Sequence, residues 1–143
     1  MLCLGEKLTL NEGRVYFALD GEEFDPDEVS QFLGLEATYI KRKGERIPGR
    51  ASKMNSWVLS TENKVSECID VFEMASEIIK HLAPKKNLIL KAIKNFGLSP
   101  RLEVVLWFSI QEEHSTPAIG FEVETIKFLG EIGAFIDVDT YKH

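Results

Sequence analysis

The chain has 143 residues, 44% of them hydrophobic and 28% charged, with a formal net charge of −6. That length suits one domain over 1–143 with a core that needs no staples, and the acidic balance argues against generic nucleic-acid binding, which sets many lysines and arginines against phosphates. Two cysteines without metal-type spacing, no apolar run of membrane length and no signal-like amino terminus lead to the expectation of a soluble cytoplasmic protein.

Residues 1–13 are open between a loose terminus and an extra strand, in which Lys7 to Leu10 would turn at Asn11-Glu12-Gly13 and pair with the strand from Val15. From Arg14 the pattern is plain. Val15, Phe17 and Leu19 alternate with Tyr16, Ala18 and Asp20, the period of a half-buried strand, and Gly21 suits a turn with positive φ. Asp25 is a helix N-cap, Pro26 fits the first helical position, and Glu28 is spaced for a capping box. Phe24 and Val29 form a staple, and Gly34 ends the helix. Six carboxylates crowd this stretch, from Asp20 to Glu28. Their spacing does not fit a calcium loop, whereas capping and the helix dipole account for them.

Ala37 to Lys43 reads as a second strand. The loop 41–53, KRKGERIPGRASK, carries six basic residues against Glu45 alone. Two readings of it stand: a site for a phosphate or an acidic partner built from Arg42, Lys43, Arg46 and Arg50 near Trp57, or a surface that neutralises the acidic turn. Asn55 to Ser60 is a third strand. Residues 65–96 read as a helical hairpin: Val65, Cys68, Ile69, Phe72, Ala75, Ile79 and Leu82 recur at helical spacing, Pro84 interrupts, and Leu88 to Phe96 continues to Gly97. Cys68 falls on the apolar stripe as a small core residue.

Leu102 to Ile110 is the most apolar strand, with Glu103, Val105 and Trp107 on one face and Leu102, Val104 and Leu106 on the other. A polar loop follows, then a short strand Ala118 to Glu122, a helix Glu124 to Ile132, and a last strand Phe135 to Thr140. On that strand Asp137 and Asp139 share a face, about 6–7 Å apart. The pair is suited either to metal binding or acid–base work, or to a plain solvated strand face. The expected architecture is α+β: a mainly antiparallel sheet with helices largely on one face, a ferredoxin-like βαββαβ core and a β-α-β extension.

No constellation for catalysis is legible. Cys68 and His81 are too far apart along one helix, His114 has no triad partner, and no phosphate-binding glycine motif, hydrolase elbow or metalloprotease helix is present. No cofactor and no metal are expected.

The run Tyr16 to Gly34 with its F-D-P-D-E helix start, the Arg42-Lys43-Gly44-Glu45 turn, Trp57-Val58-Leu59, Ser115 to Ala118 and the ending Leu129 to Tyr141 together resemble the bacterial domain-of-unknown-function family DUF4279. Lys41 departs from it, standing where members often carry tryptophan. The resemblance supplies no catalytic residues. It implies a bacterial cytoplasmic origin and, through small acidic relatives encoded near toxins, an immunity or inhibitor role. Three functions follow as expectations. The leading one is a non-catalytic protein-interaction module with a protein partner. The alternatives are a small-ligand or phosphate-binding domain, enzymatic or not, that uses the basic loop, and a structural homodimer.

Overall fold

The computed structural model describes residues 10–47, 50–51, 53–111 and 116–142. The elements in chain order are β1 (Asn11–Gly21), α1 (Pro26–Leu33), β2 (Tyr39–Lys41), β3 (Arg46–Ile47), β4 (Arg50–Ala51), β5 (Asn55–Ser60) and β6 (Lys64–Ser66), then α2 (Val71–Leu82), a 3-10 turn (Ala83–Lys85), α3 (Lys86–Phe96), β7 (Ser99–Phe108), α4 (Val123–Ile132) and β8 (Phe135–Lys142).

The protein is of the α+β class. Its main sheet runs β2-β5-β1-β7-β8, with β6 added to β1 beside β5, and β3–β4 form a separate ribbon. Every pairing in the main sheet is antiparallel except β7 with β8, which α4 joins in parallel. β1 is therefore central. Its alternation decides both faces: Val15, Phe17 and Leu19 are fully buried in one cluster with Trp57, Leu102, Val104, Leu106 and the helices, whereas Tyr16 and Ala18 join Val58, Val105 and Trp107 on the other side. The first cluster is the main core. α2 presents Val71, Met74, Ala75, Ile78, Ile79 and Leu82 to it, and α3 adds Ile89 and Ala92. Each valine, leucine, isoleucine or methionine among them contributes about 1.5–3 kcal/mol by leaving water, and each alanine less.

α1 forms as its sequence dictates. The Asp25 carboxylate accepts from the Asp27 N–H at 3.0 Å, and Gly34 ends the helix at φ 67°, a conformation that disfavours any residue with a Cβ. Gly21 is not in that region. A Cβ there would approach Phe24 at 2.9 Å, so packing, not a positive-φ turn, requires the glycine.

Several boundaries differ from the sequence expectation. Asn11 to Gly13 is not a turn: β1 runs straight through it, because β5 covers only Tyr16 to Gly21 and leaves the first residues free to pair with β6. That pairing also takes Val65 and Ser66 out of the helix. The helix begins instead after Asp70, whose carboxylate accepts from the Glu73 N–H at 3.4 Å, and Cys68 is exposed instead of packed in the core. The expected strand at Ala118 to Glu122 reduces to one bridge between Asp70 and Ala118. Cys3 and His114 lie outside the described residues. Among the described residues, no helix is long and apolar enough to cross a membrane.

Candidate functional site

Helices cover one face of the sheet, so chemistry that needs access falls on the other. Residues paired across strands share a face. The register sets Tyr16 beside Glu103 and Glu103 beside Asp137. It also sets Ala18 beside Arg101, Val105 beside Asp139, and Trp107 beside Tyr141. The helix-free face is thus polar at its centre and aromatic at one end, where Trp107 and Tyr141 stack at 5.2 Å.

Arg101 is the hub. Its Nε donates to Asp20 Oδ2 at 3.1 Å and its Nη2 to Asp20 Oδ1 at 3.3 Å. Its Nη1 reaches Glu103 Oε1 at 2.5 Å and the Tyr16 hydroxyl at 3.2 Å. Ser56 Oγ adds a 2.6 Å hydrogen bond to Asp20. Burial works against the guanidinium charge, but the Asp20 carboxylate more than offsets it and raises the Arg101 pKa further. Burial likewise raises the Tyr16 hydroxyl, against the pull of Arg101.

Glu103 is the strained member. Its side chain is 2% exposed, and Oε2 finds no hydrogen-bond donor among the described residues. Carboxylate oxygens of Glu103, Asp137 and Asp139 lie within 4.8 Å of one another. Burial, then the neighbouring Asp139 and Asp137, push the Glu103 carboxyl up to about 7 in spite of Arg101. Three carboxylates so placed can share a proton or hold a cation.

The residues expected from the sequence separate. Arg42 pairs with Asp25 at 3.3 Å and Asp27 at 2.7 Å, so the basic loop does neutralise the acidic turn there. The Lys43 backbone N–H donates to Asn55 Oδ1 at 2.6 Å. The backbones of Arg46 and Arg50 belong to the β3–β4 ribbon, and their side chains lie outside the described residues. Trp57 is fully buried, donating from Nε1 to Ser30 Oγ at 2.9 Å, and offers no surface to a ligand. Asp137 and Asp139 do come together, with Glu103 as a third carboxylate. Tyr16, Asp20, Arg101 and Glu103 were not singled out as site residues by sequence reasoning. The available signal was charge at alternate positions of the otherwise apolar strand Leu102 to Phe108 and just before it. A separate open cleft of about 560 Å³ between Thr61 to Val65 and α2 has a lining of mixed charge and no buried, unsatisfied group.

An α+β sheet with helices on one face and a buried charge network on the other defines the class. The chain belongs to the family described as a domain of unknown function (DUF4279), whose sequence model matches residues 11–143. No curated protein and no solved structure matches it.

Proposed function

We propose that this is a non-catalytic protein-interaction module that binds an extended segment of a partner protein along β8. The observation that carries the reading is the state of that strand. β8 is eight residues long, lies at the sheet edge and, among the described residues, has no strand on its outer side. Phe135, Ile136, Val138 and Tyr141 are exposed along it. A long edge strand with apolar side chains is normally blunted or covered, and strand addition is the interaction that uses it.

Charge selects the occupant. An added strand places side chains directly beside Asp137 and Asp139, where lysine or arginine at alternate positions is favourable. A second copy of β8 would bring these acids alongside their own counterparts. The favoured partner is therefore a basic segment of another protein. An immunity- or inhibitor-type role in a bacterial cytoplasm, as the family resemblance implies, is one setting for such a module.

The test uses the full chain, with Ile136→Lys and Val138→Lys as edge variants and Lys94→Ala on α3 as control. The expected result is one stoichiometric partner held by the wild type and control, lost by both edge variants, with the β8 amides protected from hydrogen exchange in the complex. Equal binding by the edge variants, or no protection of β8, would sink the reading. A self-complex twice the 16.2 kDa chain mass, measured by light scattering, would replace the partner with a second copy.

A further inference from the structure

The carboxylates of Glu103, Asp137 and Asp139 point to a site for a hard divalent cation on the helix-free face of the sheet; we propose that it takes Ca²⁺ or Mg²⁺. Exposed acids alone would not carry this. The second observation is Glu103 itself, which is 2% exposed, with an Oε2 that has no donor among the described residues. Burying an ionised oxygen without a partner is costly, so this atom calls for something positive. Arg101 does not supply it: its donors go to Asp20, Tyr16 and the other oxygen, Oε1.

The geometry suits a cation. Oxygens bound to one calcium ion at about 2.3–2.6 Å can be up to about 5 Å apart across it, and the three carboxylates fall within 4.8 Å. The parallel register of β7 and β8 sets Glu103 beside Asp137 and Val105 beside Asp139, so two strands fix the donors. Glu103 supplies a buried anchor from below, while Asp137 and Asp139 stand at the open side, where water completes the shell. An all-oxygen donor set selects hard cations over zinc or copper. Few protein ligands and partial exposure place the affinity in the weak range, with Kd about 10⁻⁴–10⁻³ M.

The site goes beyond strand addition and shares Asp137 and Asp139 with it, but it needs Glu103 on the sheet face, which a strand added along the outer edge of β8 does not, so the two readings fail separately. Chelator-treated full-length protein is titrated with Ca²⁺, Mg²⁺ and Zn²⁺ at about pH 8, where a shared proton no longer competes. About 10 mM Ca²⁺ or Mg²⁺ is expected to raise Tm by about 4–9 °C. Glu103→Gln and Asp139→Asn are expected to lose the shift. Glu103→Gln is a sound control for folding, because its amide can accept from Arg101 and donate to the aspartates. Terbium is a second probe. Trp107 lies one same-face position from Val105, the neighbour of Asp139, so indole excitation is expected to sensitise bound Tb³⁺, with Trp107→Phe losing the luminescence but keeping the Ca²⁺ shift. No Tm shift and no terbium signal, or equal responses in wild type and Glu103→Gln, would overturn the site. A response to Zn²⁺ alone would overturn the hard-cation assignment.

Discussion

Replacing Arg101 with methionine keeps most of the side-chain stem and removes the charge at the centre of the network. Asp20 then loses two hydrogen bonds, and Glu103 loses its one charged donor among the described residues. Breaking a buried pair by deleting one partner costs about 3–5 kcal/mol, because the other charge stays buried. The Arg101 and Asp20 side chains are 20% and 13% exposed, which admits some water, whereas Glu103 is 2% exposed. The low end, about 3 kcal/mol, is therefore expected. Glu103→Gln placed in the same background removes the bare carboxylate and should return about 1–2 kcal/mol of it. The assay is urea unfolding in chelator at about pH 8, followed by the fluorescence of Trp57 and Trp107 with the slope checked for constancy. A cost for Arg101→Met below about 1 kcal/mol, or a double variant no more stable than Arg101→Met alone, would refute the network as described.

Glu103 also sets a pH dependence. Its carboxyl is raised from 4.5 to about 7 in the folded protein, so its contribution to stability is fully present below about 4.5 and is lost as pH rises through about 7. Without divalent cations, Glu103→Gln should gain about 1–2 kcal/mol on the wild type between about pH 5 and pH 8, after allowance for water near Asp137 and Asp139; urea midpoints across that range check it, and a flat difference contradicts the raised carboxyl. Asp25→Ala should cost about 1 kcal/mol through the lost N-cap, with little added by the exposed Arg42 pair, as thermal unfolding in low and high salt would show. Gly120→Ala puts a methyl carbon into the Phe72 ring. It should cost about 1–3 kcal/mol as Phe72 shifts, which a drop in Tm would register and an unchanged Tm would contradict.

Local chemistry made the opening unit legible. The cap at Asp25, Pro26 and Gly34 act within a few residues, and α1 lies where they place it. The apolar period of α2 and α3 was readable for the same reason. The start of α2 was not, because Val65, Cys68 and Ile69 fit a helical stripe as well as a strand, and only the free edge of β1 decides between them. Asp20 is legible as a strand residue on the face opposite Leu19, but its bond to Arg101, 81 residues away, is not. The carboxylate site was half visible. Asp137 and Asp139 stand together in any strand, but their meeting with Glu103 depends on a parallel register that α4 imposes by carrying the chain back over the sheet. No local pattern encodes that register.

The central place of β1 bears on how the chain is made. The first strand of the described chain pairs with β5 on one side and β7 on the other, and its Asp20 bonds to an arginine 81 residues away. Pairings this distant in sequence form slowly, since the intervening chain must be closed into a loop before any contact rewards it. On the ribosome, Val15, Phe17 and Leu19 emerge before both partners, and after Asn55 to Ser60 has followed, one side of their strand still stays open until Ser99 to Phe108 arrives. During that interval the most buried strand of the finished protein is its most adhesive one, and a chaperone that shields short apolar strands would have its binding site there.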